Sequence, residues 1–281
     1  TGVASIAMPN SGSITTYGNA ASAIYAQSVG GGGGNGGWSD ASASSNKYAV
    51  AVAIGGYGGG GGHGSDVIVT QTGGALTTHG AQSNGIFAQS VGGGGGNGGA
   101  ASASATGEDG GALNGGADEK ADNGAGASLS IGGSGGAGGH GGRVLVENAA
   151  RIATTGDLSN GVFAQSVGGG GGNGGSSTAN ASGGNYSGAI SLGGAGGVGG
   201  NSGDVSVVNR NTVSTGGNVS SGIFAQSVGG GGGNGDPMQR SYAEVVRDVS
   251  RGLVSRDMAL SAYGVAIAED GSVDQAASVA R

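Results

Sequence analysis

The segment most suggestive of chemistry spans residues 61–69 and has the sequence GGHGSDVIV. It fits the pattern G-G-x-G-x-D-x-U-x of nonapeptide repeats that bind calcium between stacked turns. Calcium requires several carboxylate and carbonyl oxygens. In the second copy, however, Arg143 takes the place of the aspartate. The third copy keeps an aspartate, Asp204, but has Ser202 in place of the third glycine. We therefore predict no metal site and keep Asp66 as the one calcium candidate; alternatively, Asp66 only begins a strand.

The histidines and the clustered acids supply no complete set of metal ligands. His63 and His140 share a repeat position, but Asn201 takes that place in the third copy, and no cysteine or paired acid completes a metal set. We expect these histidines to be solvated at the end of a glycine tract. Five acidic residues either attract cations loosely or keep a loop soluble. They are Glu108, Asp109, Asp118, Glu119 and Asp122.

One glutamine occurs at the same place in each of four repeat copies, and two roles are open for it. The four side chains could form a stacked amide ladder if the copies align, or each could be a buried glutamine that bonds the backbone. They are Gln27, Gln89, Gln165 and Gln226. The glycine runs are not phosphate loops, because none is followed by Lys-Ser/Thr and a helix. We predict no catalytic residue and no cofactor.

The composition restricts the class of protein. The 281 residues include 75 glycines but only 2 prolines, which excludes collagen. Apolar residues make up 35% of the chain, and they recur at fixed places, which disorder does not explain. The net charge of −7 and the 10 scattered basic residues argue against a nucleic-acid partner. There is no run of about 18 apolar residues, so we expect no membrane span.

The strongest pattern is a tandem repeat of the string AQSVGGGGGNGG. Copies occupy residues 26–37, 88–99, 164–175 and 225–235, and their glutamines are spaced by 62, 76 and 61 residues. The longer second spacing indicates an insertion at 100–127, whose polar and acidic sequence predicts an exposed loop. Repeats of this kind predict that copies stack into one continuous structure.

Alternation within the repeat predicts strands. The pairs Val67/Val69, Val144/Val146 and Val205/Val207 stay constant while the residue between them changes. The valines are therefore expected to face the core and the middle residue the solvent. In the AQSV strand both alternating sets are constant. That constancy predicts a strand covered on both faces.

The glycine tracts have a period of three, as in IGGSGGAGGHGG at 131–142. Three residues per turn is the period of a left-handed helix of the polyproline II type. The alternative is a flexible loop. The predicted fold is mainly β: a glycine-rich repeat β-solenoid over residues 1–235 with polyglycine II-type tracts, followed by a small α/β segment at 236–281.

The short V-x-V and T-T-G strands followed by S-x-G-I-F-A-Q-S-V-G-G-G-G-G-N-G-G resemble the glycine-rich repeats in passenger regions of bacterial autotransporters and related adhesin-like proteins. The resemblance implies a right-handed parallel β-solenoid displayed at the bacterial cell surface or secreted. It also implies cell-surface or host ligands as partners. The membrane barrel typical of that family has no counterpart in the sequence, and no export signal is visible at the start.

The composition changes after Gly235: only 3 of the 75 glycines follow it. Residues 239–251 have apolar residues at helical spacing and are followed by Gly252, a suitable C′ residue. Ser255 can cap a second helix through Tyr263, a short strand follows, and a last helix is expected after Ser272. We expect this segment to be weakly ordered, or to pack loosely on the last coil near Phe224 and Val228. The second alternative would use Val245, Val249 and Leu253.

This end of the chain resembles the carboxy-terminal part of the hydantoinase B/5-oxoprolinase family, with its G-D-P, R-D-V-x-x-G-x-V-S and Y-G-V motifs. The matching residues are Gly235, Asp236, Pro237, Arg247, Asp248, Gly252, Val254, Ser255, Tyr263, Gly264 and Val265. The resemblance implies ATP-dependent opening of a cyclic amide, a hydantoinase A-like partner subunit and a cytoplasmic location. It covers about the last fifty residues only.

Three classes of function follow from these patterns. The first is a non-catalytic structural or adhesin-like surface segment, which rests on the four repeats and is the one we expect. The second is a fragment or fusion of a hydantoinase B-type hydrolase, which rests on the last segment. The third is a surface that binds ice or carbohydrate, which rests on the GGX period alone.

Overall fold

The computed structural model describes residues 3–8, 12–107, 124–184, 186–233, 241–251, 254–268, 270–274 and 278. It is mainly β, with 44% strand and 6% helix, and its strands form stacked parallel sheets. This arrangement is consistent with the predicted β-solenoid. The predicted boundary at residues 235 and 236 lies outside the described residues.

Each repeat copy forms one coil, and equivalent strands of successive coils pair in parallel. Three strands open each coil; they are β1 Ala4–Met8, β2 Ser13–Thr16, β3 Ile24–Val29, β6 Val67–Gln71, β7 Ala75–Thr78, β8 Ile86–Val91, β11 Val144–Asn148, β12 Arg151–Thr154, β13 Val162–Val167, β16 Val205–Asn209, β17 Val213–Thr215 and β18 Ile223–Val228. Two longer strands close the first three coils; they are β4 Ser39–Ser45, β5 Tyr48–Ile54, β9 Ala101–Gly107, β10 Ala125–Ile131, β14 Ser177–Gly183 and β15 Tyr186–Leu192.

The first three strands of each coil enclose the main apolar core. Val67 and Val69 are fully buried, as are Val144 and Val146, whereas Ile68 between the first pair is only half-buried. The prediction that these valines face the core is therefore confirmed. Burying a branched side chain of this size contributes about 1.5–3 kcal/mol, and the parallel register places each valine on its equivalent in the next coil.

The prediction that the AQSV strand is covered on both faces is wrong. Ile86, Ala88 and Ser90 are buried, but the alternate residues of β8 are half-buried, and Tyr25 at the equivalent place of the first coil is 57% exposed. The outer residues are constant because each stacks on its equivalent in the next coil. The constancy therefore reflects contacts between coils, and no layer from the described part of the chain covers that face.

The prediction of an exposed loop at 100–127 is also wrong for most of the residues that the structure describes in this range. Residues 101–107 form β9, and β10 begins at Ala125. The alanines of β9 are buried against those of β5, so the two sheets form a thin two-layer structure with an alanine core. Small side chains permit this close approach, which the polar composition concealed. Residues 108–123, including the acidic cluster, lie outside the described residues.

The glycine tracts that connect these parts are held by regular backbone hydrogen bonds. The amides of Gly30 and Gly33 donate to the carbonyls of Val91 and Gly94 in the next coil, each at 2.8 Å. Donors thus recur every third residue. A second set of bonds joins the outgoing tract of a coil to its returning tract, which runs antiparallel to it, as from Gly59 N to Gly34 O at 2.7 Å. The tracts form two stacked layers of backbone.

The carboxy-terminal segment has a core of its own. It contains α1 Tyr242–Ser250, α2 Arg256–Tyr263, β19 Ala266–Ile267 and β20 Val273–Asp274, and the last two pair antiparallel. Ser255 caps α2 by accepting from Met258 N at 3.1 Å, which confirms the predicted cap. Gly252 lies outside the described residues. The helix expected after Ser272 is wrong at its start, because Val273 and Asp274 form β20; residues 275–277 lie outside the described residues.

The expected loose packing of this segment on the last repeat is not what the structure shows for its apolar residues. Val245 is buried with Ala259 and Val265 in the segment's own cluster, whereas Phe224 and Val228 of the last coil are each 37% exposed. Val245 and Val249, two of the three side chains expected to reach the repeats, therefore pack within the segment. The third, Leu253, lies outside the described residues.

Candidate functional site

The four repeat glutamines form an amide ladder along the outer face of β3, β8, β13 and β18. Gln27 Nε2 donates to Gln89 Oε1 at 2.6 Å, Gln89 Nε2 to Gln165 Oε1 at 2.6 Å, and Gln165 Nε2 to Gln226 Oε1 at 2.8 Å. The glutamines are half-buried or exposed. The ladder hypothesis is thus confirmed, and the alternative of a buried glutamine bonded to backbone is wrong.

An aromatic column runs beside the amide ladder on the same face. Tyr25, Phe87, Phe163 and Phe224 stack nearly parallel, with centroid separations of 4.6, 5.0 and 5.2 Å. This spacing is close to the distance between neighbouring strands. The rings cover one another's faces and present their edges outward, so the column stabilises coil stacking and offers a narrow apolar stripe to solvent.

Asp66 lies where the returning tract of the first coil ends, and its carboxylate accepts a hydrogen bond from the next coil. Its Oδ1 accepts the backbone amide of Arg143 at 2.9 Å. Among the described residues, no group of three or more His, Cys, Asp or Glu side chains could hold a metal ion. The contact fits the second role suggested for Asp66, at the start of a strand, since Val67 begins β6.

The two tract histidines are exposed, as expected, but each also accepts a hydrogen bond from the next coil. His63 Nδ1 accepts the amide of His140, and His140 Nδ1 accepts the amide of Asn201, both at 2.8 Å. Their rings stack at 4.8 Å. Because Nδ1 accepts in both cases, the neutral rings carry their proton on Nε2. Although both residues are exposed, their side chains connect one coil to the next.

The two-layer part of the coils has two chemically different outer faces. The outer residues of β4, β9 and β14 are almost all hydroxyl or amide residues; we call this surface the hydroxyl face, and it consists of Asp40, Ser42, Ser44, Ser102, Ser104, Thr106, Thr178, Asn180 and Ser182. The outer residues of β5, β10 and β15 and of the returning tracts form the apolar face. Its exposed large residues are Tyr48, Val50, Val52, Ile54, Tyr57, Tyr186, Ile190, Leu192 and Val198.

A shallow groove crosses one end of the apolar face. Its volume is about 640 Å³, and it is flanked by Tyr48 and Tyr186, which are 71% and 78% exposed. The floor consists of small residues, including Ala125, Ala127 and Gly188. The parallel register explains the groove, because Ala125 of the middle coil lies between the two tyrosines of the outer coils.

The carboxy-terminal residues that carry the second resemblance are only partly described. Arg247 Nε lies 3.7 Å from the carboxylate of Asp248, which is largely buried. Tyr263, Gly264 and Val265 end α2 and enter the small core. Gly235, Asp236 and Pro237 lie outside the described residues. Separately, hydrogen bonds from the hydroxyl and then the amide of Ser272 lower the pKa of Asp270.

Comparisons with known proteins identify no relative that assigns a function. No family model matches the chain, and no curated protein matches it. Among solved structures, one match is an antifreeze protein from the springtail Granisotoma rainieri, described as a bundle of nine polyproline type II helices whose crystal waters match the ice lattice. It shares 20% identity, with 60% of this chain and 95% of that chain covered, at a TM-score of 0.13. This score is too low to support an argument about fold or function.

Sequence reasoning missed the two faces of the two-layer part. The signal was present in DASASS, ASASAT and STANAS, in which alanine or a similarly small residue occupies every second place. Alternation of small and polar residues predicts a strand, just as alternation of large apolar and polar residues does. The condition is that the side chains of the facing sheet are small as well. No described helix is long and apolar enough to cross a membrane.

Proposed function

We propose that the repeat region is a non-catalytic structural segment of a bacterial surface protein, adhesin-like in type, which carries binding surfaces on a stack of coils. The observation that carries the proposal is the in-register stacking of equivalent residues through four successive coils. Glutamine bonds to glutamine, aromatic ring stacks on aromatic ring, and valine packs on valine. Such a stack gains stability from nearest-neighbour contacts, and it extends by adding copies without changing its cross-section.

The outer coils support the same proposal. In the sheet of β1, β6, β11 and β16, the first and last strands each leave one edge without a partner strand among the described residues. Further coils of the same sequence would pair with these edges in the same register. A segment of this design suits a spacer or adhesive stalk whose length is set by copy number. Cell-surface or host ligands are the partners that this proposal implies.

Surface display can be tested on intact cells of the source organism. Antibodies raised against the purified chain should label unpermeabilised cells, and brief external proteolysis should remove the label. A cytoplasmic protein should serve as the control and should be labelled only after permeabilisation. If the repeats behave like that control, they are not displayed and the proposal is wrong.

We further propose that the glycine tracts are polyglycine II-type helices. The proposal is supported by backbone donors at every third residue and by close approach between tracts, since a Cβ added to Gly96 would lie 2.0 Å from Gly34 O. Gly96 N also donates to Gly59 O at 2.8 Å. Scalar coupling across this hydrogen bond should be detectable by NMR. A flexible loop would give no coupling and rapid amide exchange.

The hydantoinase B-type alternative stays a prediction from the sequence. It depends on the last 46 residues, and its Asp236-Pro237 signature lies outside the described residues. The purified chain should show no ATP-dependent turnover of hydantoin or 5-oxoproline. Turnover that disappears on deletion of residues 236–281 would favour the alternative.

A further inference from the structure

We propose that the apolar face binds the same face of a second copy of this chain. Nine of the 21 exposed large apolar side chains of the described residues lie on this face. Contiguous exposed apolar surface of several hundred Å² is uncommon on monomers and marks interaction sites. The opposite hydroxyl face has the same backbone geometry but polar side chains, so exposure of the apolar residues is not a general property of these sheets.

The charge distribution favours a protein partner over a lipid surface. The outward residues of β5, β10 and β15 include no charged side chain, and the chain as a whole carries a net charge of −7. Segments that lie on membranes carry lysine and arginine around their apolar face. An uncharged apolar surface is instead complementary to an identical surface, because no charge is buried when the two meet.

The register gives a specific arrangement of the two copies. A two-fold axis in the interface, parallel to the strands and centred on β10, places β5 of one copy opposite β15 of the other. Val50 then faces the second copy's Gly188, and Val52 faces its Ile190. In the returning tracts, Tyr57 faces Ala195. A large residue meets a small one or one of similar size at each of these positions.

The small residues on the axis leave room for the tyrosines. Ala125 and Ala127 of the two copies face each other, and above them lies the groove of about 640 Å³ that Tyr48 and Tyr186 flank. The tyrosine rings of both copies can fill this space. Tyrosine rings that enter apolar pockets while keeping the hydroxyl at the rim are typical of stable interfaces.

The area is sufficient for a specific dimer. Strand spacing and residue rise give a face about 14 Å wide and about 50 Å long, or about 700 Å² per copy. Stable interfaces bury about 800 Å² per partner, and the pleated surface exceeds its flat projection. The proposed contact therefore belongs to the standard size class, and we expect micromolar or tighter association.

Sedimentation velocity of the full chain tests the proposal. The wild-type chain should form dimers over a range of about 1–100 µM, and the double variant Val52→Lys/Ile190→Lys should weaken association by at least 100-fold, because it places lysines opposite each other. The matched control is Ser42→Lys/Asn180→Lys, which adds the same charge to the hydroxyl face of the same coils. The control should dimerise like the wild type.

Cysteine cross-linking tests the arrangement without disturbing the charge. The chain has no cysteine. Facing sheets lie about 10 Å apart, too far for a direct disulfide, so a short bifunctional maleimide is the suitable reagent. Leu129→Cys, next to the axis, should cross-link rapidly, and Ser104→Cys, in the same coil on the hydroxyl face, should not.

Any one of several results would overturn the proposal. They are a wild-type chain that stays monomeric at 100 µM, a dimer that survives the lysine pair, or equal cross-linking of the two cysteine variants. A monomer that instead sediments with phosphatidylcholine vesicles would assign the apolar face to a lipid surface and would also overturn it. Circular dichroism should show that each variant keeps the wild-type strand content.

Discussion

At the residue scale, the side chains that looked capable of chemistry are used to join coils. The carboxylate of Asp66 and the ring nitrogens of His63 and His140 accept backbone amides of the following coil. Asn35 does the same, accepting Asn97 N at 2.9 Å. These residue types recur at tract and strand ends because a short acceptor there satisfies a backbone donor that would otherwise lack a partner.

The amide ladder makes a directional prediction. Gln89 accepts from Gln27 and donates to Gln165, so Gln89→Glu keeps an acceptor but leaves two acceptors facing each other at Gln165. We expect a loss of about 1–3 kcal/mol in the free energy of unfolding at pH 7, measured by urea denaturation. The loss should shrink as the pH falls below about 4, because a protonated glutamate can donate.

Gln226→Glu is the matched control for this experiment. Gln226 accepts from Gln165 Nε2 at the last position of the ladder, and a glutamate keeps that acceptor. Its free energy of unfolding should stay within about 0.5 kcal/mol of the wild type, as for an ordinary surface substitution. Equal losses in both variants would mean that the ladder has no preferred direction.

A second residue-scale feature is a left-handed backbone position that recurs in every coil without glycine. Ala20, Gln82, Leu158 and Val219 have φ values of 54°, 57°, 55° and 52°. For residues other than glycine, asparagine and aspartate this conformation costs about 1–2 kcal/mol. The stacking of the coils maintains it, since Leu158 N donates to Asn218 O of the next coil at 2.9 Å.

We therefore predict that Leu158→Asn stabilises the protein. Asparagine adopts the left-handed conformation more readily, and we expect a gain of about 0.5–1 kcal/mol in the free energy of unfolding. Val29→Asn is the control, because Val29 is also exposed, at 63% against 48%, but lies in a strand away from the apolar face. A gain at Val29, or a loss at Leu158, would contradict this explanation.

At the element scale, the two-layer part depends on small residues. Ala103 of β9 is fully buried in the alanine core, with Ala49, Ala51 and Ala53 of β5 in the same cluster. Cores packed this closely transmit any increase in volume directly to the backbone. The spacing of the two sheets is therefore set by the methyl groups between them.

Enlarging one of these methyl groups should separate the layers. We predict that Ala103→Val lowers the free energy of unfolding by about 1–3 kcal/mol, as overpacking does in other cores. Ser104→Val, one residue further on the hydroxyl face, adds a similar apolar volume facing solvent and should change stability by less than about 0.5 kcal/mol. Similar effects at both positions in thermal denaturation would show that the layers are not closely packed.

The elements that the sequence predicted are those whose cause is local. Val67 and Val69 alternate with a variable residue, and Ser255 precedes a helical pattern, so each could be recognised within its own segment. The strand at 101–107 could not, because its burial depends on alanines some fifty residues earlier that are small enough to meet it. For the same reason the constancy of Phe87 was misinterpreted: its partner is the equivalent residue of the next coil, 76 positions later.

The difference between the apolar face and the hydroxyl face likewise could not be predicted from the sequence. Val52 and Ser104 both lie in alternating segments, but only the packing of the two sheets shows that their side chains lie on opposite outer surfaces. The proposed dimer follows from that asymmetry. The amide ladder, by contrast, required only that the copies align, and the sequence suggested it.

At the scale of the whole molecule, the stacking of the coils depends on glycine at defined positions in the tracts. Gly93, Gly96 and Gly99 approach carbonyl oxygens of the first coil so closely that an added Cβ would lie 2.0, 2.0 and 1.9 Å from them. Gly94, in the same tract, points outward, and its Cβ would lie 3.7 Å from Gly170 O. Sequence alone does not distinguish these glycines, since they lie in one run of five or in the Gly-Gly pair that follows Asn97.

The most direct test compares Gly96→Ala with Gly94→Ala. Packed tracts predict that Gly96→Ala lowers the free energy of unfolding by more than about 4 kcal/mol, because the backbone of Gly33 and Gly34 in the first coil must move. They predict that Gly94→Ala leaves it unchanged or raises it by up to about 1 kcal/mol, since alanine reduces the entropy of the unfolded chain. Both values come from urea denaturation of the purified chain. Equal tolerance of alanine at the two positions would show that the tracts are not packed and would contradict the account.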